Sequence, residues 1–252
     1  MIEINPVSFT PNFDEGPGKY RIGMILLSND YATERDFINM RPSDDVTYFV
    51  ARIPMPAEIT PESLAGTENE LDRAVSLILP GGRVDAIAFS CTSASVVLGH
   101  ERVQRAIQAE RPGVPCITPI NAALSALKIL SARRIAVLTP YIDSINEQFL
   151  QEFTHRGLDV RSFHSFRLIS DLAMANLSPQ SIMQGAVEAD GDDVDAVFIS
   201  CTAIRAVEVI DAIEQKIGKP VVTSIQAMFW QSLRTVGYEE PIAGYGRLLS
   251  TC

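Results

Sequence analysis

Two segments of the same shape constrain this chain more than anything else in it. Asp85-Ala86-Ile87-Ala88-Phe89-Ser90-Cys91-Thr92 is matched by Asp195-Ala196-Val197-Phe198-Ile199-Ser200-Cys201-Thr202, each with an acidic start, four apolar residues and then Ser-Cys-Thr. A short apolar run between polar residues reads as a buried strand. A strand that ends in Ser-Cys-Thr and feeds a helix brings a thiol to the mouth of a sheet. Having this twice points to two thiols facing one pocket.

The duplication extends beyond the cysteines. Arg21-Ile22-Gly23-Met24-Ile25-Leu26 matches Arg134-Ile135-Ala136-Val137-Leu138-Thr139, and Gly113-Val114-Pro115-Cys116-Ile117-Thr118 matches Gly218-Lys219-Pro220-Val221-Val222-Thr223. In the first half, strands are expected at 21–27, 46–53, 84–89 and 114–117, with helices at 32–40, 67–79, 93–109 and 120–130. In the second, strands are expected at 134–139, 160–166, 194–199 and 221–223, with helices at 141–156, 179–189, 203–217 and 225–236. Alternating strands and helices with short connections predict α/β architecture, a parallel sheet in each half covered on both faces. The expected organisation is an N-terminal arm over 1–19, two pseudo-symmetric lobes over 20–130 and 131–240 with the active site in the cleft between them, and a C-terminal tail over 241–252.

Composition narrows the function. The 252 residues carry a formal charge of −10, and no cluster of Lys and Arg is present to meet phosphates, so neither nucleic acid nor an anionic membrane is an expected partner. No run of about 18 apolar residues predicts a membrane span, and the Pro/Gly-rich start lacks the apolar core of a secretory signal. Four cysteines, at 91, 116, 201 and 252, do not make a disulfide framework in a chain of this size, so a reducing cytoplasm is the expected location. Cys116 lies inside a strand and reads as core, and Cys252 as a mobile, incidental thiol.

In open α/β sheets ligands bind beyond the carboxyl ends of the strands. Both Cys91 and Cys201 fall there, each expected at a helix N-terminus that favours a thiolate. Thr92, Ser93 and Thr202 add hydroxyl donors. Two opposed thiols suit proton transfer at carbon, or addition to a double bond with proton return from the other side. A free thiol pKa near ~8.5 puts both roles within reach of neutral pH. There is no phosphate loop, dinucleotide fingerprint or metal-ligand spacing among His100, His155 and His164, so the expected chemistry needs no cofactor and no metal.

The paired Ser-Cys-Thr elements, the segment Gly218-Lys219-Pro220-Val221-Val222-Thr223-Ser224 and the ending Gly244-Tyr245-Gly246-Arg247-Leu248 resemble the aspartate/glutamate racemase superfamily. The similar branch holds maleate cis–trans isomerases, arylmalonate decarboxylases and racemase-like ectoine-utilization proteins. The resemblance implies two flavodoxin-like lobes and a cofactor-independent isomerase or racemase acting on a small carboxylate or amino-acid-like substrate. It implies that the cysteine at position 91 adds to an alkene and the one at 201 supplies the proton. In the decarboxylases a glycine occupies the position of Cys91, so its presence here counts against simple decarboxylation, although Arg133–Asp143 is close to the decarboxylase pattern. A carboxylate-binding hole maps onto Thr92, Ser93, Tyr141, Cys201 and Thr202.

One departure stands out. Maleate isomerases follow the first strand with a loop of the Pro-Ser-Ser-Asn type whose Asn binds a substrate carboxylate. Here the loop is Leu27-Ser28-Asn29-Asp30. Asp30 in that place repels a dianion and suits an ammonium or amidinium, or itself helps move a proton as a loop acid does in the amino-acid racemases; alternatively Asn29 meets the substrate and Asp30 caps the next helix. Ser28, Asn29 and Asp30, with Thr139 and Tyr141 from the matching loop of the second half, complete the candidate substrate-binding set. Three rival readings remain: an arylmalonate-type decarboxylase with Cys201 as proton donor, a non-catalytic carboxylate-binding protein, and a thiol redox switch. Assembly into a homo-oligomer is left open.

Overall fold

The structure is a computed structural model that describes residues 2–251, so Cys252 lies outside the described residues. Eight strands form two sheets. The first holds β1 (Tyr20–Leu27), β2 (Val46–Ile53), β3 (Ala86–Ser90) and β4 (Cys116–Ile117) in the order β2-β1-β3-β4. The second holds β5 (Arg134–Thr139), β6 (Asp159–Ser165), β7 (Ala196–Ile199) and β8 (Val221–Thr223) in the order β6-β5-β7-β8. All pairings are parallel. The inner strands β1, β3, β5 and β7 are buried nearly end to end, as continuous Ile/Val/Leu/Ala runs require when helices cover both faces. Strands β2 and β6 lie at the edges and are partly exposed.

In each sheet the strand order reverses between β1 and β3, or between β5 and β7, and a crevice opens there beyond the carboxyl ends. Leu26 pairs with Ser90 and Leu138 with Ile199, so neighbouring inner strands finish level and their loops emerge side by side.

The helix Ser224–Thr235 holds the halves together. Nine of its twelve residues are buried, so it is a core element with no solvent face of any width. Although it follows β8, it packs on β3 and on the helices Thr33–Met40 and Pro119–Ile129 of the first half. Phe229 meets Phe37 edge to face at 5.1 Å between ring centroids. A capping box starts the helix, with Thr223 and Gln226 satisfying each other's backbone N–H. Direct bonds add to this clamp: Thr202 Oγ1 donates to the Ser90 carbonyl at 3.2 Å, and Arg35 pairs with Glu208 at 2.7 Å.

Several expected elements differ. The single helix expected over 93–109 is two, Thr92–Leu98 and His100–Glu110, because Gly99 sits at φ 77° and ψ 145°, a conformation open only to glycine. The helix expected from 203 begins only at Ile210, after a 3₁₀ turn over Val207–Val209. Cys201, at φ 100°, turns the chain away from helical geometry. Tyr141 precedes its helix, Asp143–His155, instead of starting it. Unexpected short helices occupy Pro61–Gly66, capped by Thr60, Asp171–Ala175, capped by Ser170, and Gly246–Ser250.

Residues 2–18 form the exposed arm, without regular structure apart from bends. The other end is packed: Leu248 and Leu249 are buried, and the Gly246 N–H donates to Asp211 at 2.6 Å. Among the described residues no helix is long and apolar enough to cross a membrane.

If the helix Ser224–Thr235 is the clamp, Phe229→Ala destabilises the whole protein by about 3–5 kcal/mol, the usual cost of removing a buried aromatic. Urea unfolding measures this, and a loss below about 1 kcal/mol contradicts the assigned role.

Candidate functional site

The carboxyl ends of β3 and β7 converge on one cleft of about 320 Å³, its open mouth included. The cavity behind the mouth is about 20 Å³, room for roughly one water (~10–15 Å³), so the walls close tightly around the two thiols. Cys91 and Cys201 both line it, 5% and 6% exposed, and both are free thiols. Thr92, Ser93, Tyr141, Thr202 and Asp30 line it as well.

The two cysteines reach the cleft by different backbones. Cys91 is extended, at φ −150° and ψ 111°, and caps the helix Thr92–Leu98: its sulfur accepts from the Ala94 N–H at 3.4 Å and lies 3.6 Å from Ser93 Oγ. Cys201 has no helix behind it, contrary to the expectation. Its φ of 100° points the chain into an irregular stretch over 202–206. Its sulfur accepts from the Ala203 N–H at 3.3 Å, and its own N–H donates to Ser224 Oγ at 3.1 Å. Strain of this kind persists where the surroundings over-determine the geometry, as at reactive sites.

Protonation also departs from the expectation. Burial pushes the Cys91 thiol up to about 11, with Asp171 and Asp30 adding to the rise and the Ala94 N–H and Ser93 opposing it. Burial pushes the Cys201 thiol further up, and Asp171 again adds, although Ala203 and Tyr141 favour its thiolate. Both are neutral thiols at pH 7 in this cleft, because loss of water outweighs the N–H groups around them. Cys91 is the easier of the two to ionise. Burial likewise raises the Tyr141 phenol, which accepts from Ser200 Oγ at 3.4 Å.

Three expected contacts lie outside the cleft wall. Thr139 is fully buried and acts on the loop behind: its hydroxyl donates to Asn146 Oδ1 at 2.6 Å, and Asn146 in turn holds the Tyr141 carbonyl. Ser28 Oγ accepts from the Met55 N–H at 3.2 Å. Asn29 Oδ1 is buried without a partner and does not line the cleft. Asp30 lines the cleft and also braces the start of the next helix, whose N-cap is Ala32. The Asp30 carboxylate accepts from Ala32 N, Thr33 N and Thr33 Oγ1 at 2.6–2.9 Å.

Comparison with known proteins now bears on this geometry. A family model described as arylmalonate decarboxylase matches residues 44–249. The chain belongs to that family. A maleate isomerase of Pseudomonas putida is 27% identical over 245 residues, covering 92% of this chain and 97% of the relative. An arylmalonate decarboxylase of Bordetella bronchiseptica is 31% identical over 233 residues, covering 90% and 95%. The crystal structure of the maleate isomerase Iso from Pseudomonas putida S16 superposes with a TM-score of 0.84 at 26% identity, covering 92% of this chain and 98% of that one. The duplicated α/β architecture read from the sequence is therefore that of the family.

Within this family member, the cleft also has walls that sequence reasoning missed: Leu27, Ile59, Asp171, Met174 and Ala203. Ile59 and Asp171 come from loops after the edge strands β2 and β6, which meet across the halves. Ile59 N donates to the Ile169 carbonyl at 2.8 Å and Asp171 N to the Ala57 carbonyl at 3.2 Å. A motif search around strand ends does not find them, because their arrival depends on that long-range bridge. Among the described residues no group of three or more His, Cys, Asp or Glu is placed to hold a metal ion.

With a Cys91 pKa of about 11, roughly one thiol in a thousand is ionised at pH 8. Alkylation of Cys91 by iodoacetamide, followed by peptide mass spectrometry, therefore rises about tenfold per pH unit from pH 7 to 10 without a plateau. A plateau near pH 8 would show that the neighbouring donors, not burial, govern the thiol.

Proposed function

We propose that the protein is a cofactor-independent isomerase or racemase of a small carboxylate, working with Cys91 and Cys201 from opposite sides of the substrate. The observation that carries this is the pair of free, buried thiols lining one cleft at the carboxyl ends of β3 and β7. The relatives named maleate isomerase, matched over nearly the whole chain, support the reaction class.

The unequal surroundings of the thiols support a division of labour. Cys91, the easier to ionise, acts as the base or nucleophile; Cys201, held more strongly as the neutral thiol, returns the proton. In proton transfer at an α-carbon, the Cys91 thiolate takes the proton from one face and the Cys201 thiol delivers one to the other. In cis–trans isomerisation, the Cys91 thiolate forms a C–S bond with one alkene carbon. The adjacent carbon receives a proton from Cys201, the C–C bond rotates, and elimination returns a proton to Cys201 while the C–S bond breaks and restores the Cys91 thiolate. Thr92, Ser93 and Tyr141 supply hydroxyls for the substrate carboxylate, where a hydrogen bond to a charged group is worth about 1.5–3 kcal/mol; the Thr202 hydroxyl, donated to the Ser90 carbonyl, does not. Free thiols of this kind suit a cytoplasmic location.

Decarboxylation of a malonate-type substrate is the second reading, favoured by the 31% identity to the Bordetella bronchiseptica decarboxylase. Turnover in D2O separates the two. Under the isomerase or racemase reading, Cys91→Ala and Cys201→Ala each lower the rate by about 10²–10⁴-fold, the usual contribution of a positioned acid or base. Deuterium enters at the reacting carbon, or the double-bond geometry changes, without loss of CO2. Release of CO2 that survives Cys91→Gly and disappears in Cys201→Ala selects the decarboxylase instead. Ligand binding without turnover, indifferent to both thiols, rejects an enzyme altogether.

A further inference from the structure

The cleft carries acidic groups from both halves and no cation to balance them. Asp30, after β1, and Asp171, at the start of the helix Asp171–Ala175, are 7% and 5% exposed. No lysine, arginine or histidine joins them among the described residues lining the cleft. The cation that acts on Asp30 is Arg52, and its guanidinium is taken up by the carbonyls of Leu27, Ser28 and Asp30 and by the Glu34 carboxylate.

The two carboxylates differ in how the fold treats them. Asp30 is satisfied by three donors at the start of the helix Thr33–Met40. No hydrogen bond from a described side chain or backbone group acts on the Asp171 carboxylate, whose pKa is pushed up to about 6 by burial and then by Asp30. The Asp171 oxygens are not sealed from solvent, so they are open to a donor that enters the cleft. Beside them Thr92, 1% exposed, lines the same cleft and leaves its Oγ1 without a partner. Two unsatisfied polar groups, one wanting a donor or a cation and the other free to donate to a carboxylate, face one small cavity. The same carboxylates hold the thiols up, Asp171 acting on both cysteines and Asp30 on Cys91. A positive charge brought in by the substrate would offset that field and ease ionisation of Cys91 when substrate arrives.

We propose that Asp30 and Asp171 together hold a cationic nitrogen of the substrate, so that this cleft takes a small carboxylate bearing an ammonium or amidinium group and rejects dianions. The inference rests on the reading of the cleft as a substrate site. It names the substrate class, and it assigns Asp171, which reaches the cleft only through the bridge between the β2 and β6 loops, as a binding residue.

The test is calorimetric titration of the intact protein with four acids of matched length: L-2-aminobutyrate, 4-aminobutyrate, butyrate and succinate. At least one aminated acid binds about tenfold or more tightly than butyrate, as expected of a charge-assisted hydrogen bond, and succinate binds least. Asp171→Asn removes most of that advantage and improves succinate binding. Asp30→Asn does so in the same direction with the helix start kept, because the Asn amide oxygen can still accept from Ala32 N and Thr33 N. Three results overturn the proposal: succinate or butyrate binding as tightly as both aminated acids, an advantage that persists in both Asn variants, or no heat from either aminated acid. Because the readout is binding, it separates from turnover. Isomerisation of a dicarboxylate with no preference for amines sinks the cation subsite and leaves the thiol chemistry standing. Preference for amines with no turnover does the reverse.

Discussion

Everything in the site depends on how the helix Ser224–Thr235 is packed. It follows the last strand of the second sheet yet buries its aromatic face against the first, with Phe229 on Phe37 and the chain behind it closed by the Thr223–Gln226 capping box. A helix apolar on nearly all sides has no low-energy place except between layers. Its burial holds the two sheets so that their carboxyl ends share one cleft. Thr202 bonding to the Ser90 carbonyl fixes the approach of the two Ser-Cys-Thr elements. The lobes are thus not loosely tethered units.

That closeness determines the electrostatics. Each sulfur is drawn out of water in the cleft, and desolvation outweighs the N–H groups that face it. The resting site is therefore a pair of neutral thiols beside two carboxylates whose own ionisation burial opposes. Little of either thiol is ionised at neutral pH, a property of the assembled cleft and of no residue alone.

The duplicated sequence does not produce a symmetric site. Ser90-Cys91-Thr92 and Ser200-Cys201-Thr202 are identical in letters. One cysteine nevertheless caps a helix in extended geometry and the other sits at positive φ ahead of an irregular loop. The difference is not local. Cys201 N is held by Ser224 at the start of the clamping helix, whereas Cys91 N donates to the Phe89 carbonyl of its own strand at 3.1 Å. An irregular stretch stands where a helix is expected after Cys201, and the two thiols differ in how readily they ionise.

Much was legible in the chain itself. Strand runs such as Arg134–Thr139 and Val221–Thr223 are where short apolar, β-branched segments between breakers place them, as inner strands of a parallel sheet covered on both faces require. The repeat of Ser-Cys-Thr was enough to name both thiols and the end of the sheet they occupy. Only the tertiary structure brought Asp171 and Ile59 to the cleft, kept Ser28, Asn29 and Thr139 out of its wall, and raised the thiols away from neutrality. Local pattern encodes which face a residue shows to its own sheet. Which groups from the other half then remove its water and set its charge is decided by contacts between residues far apart in sequence, and no local pattern carries that information.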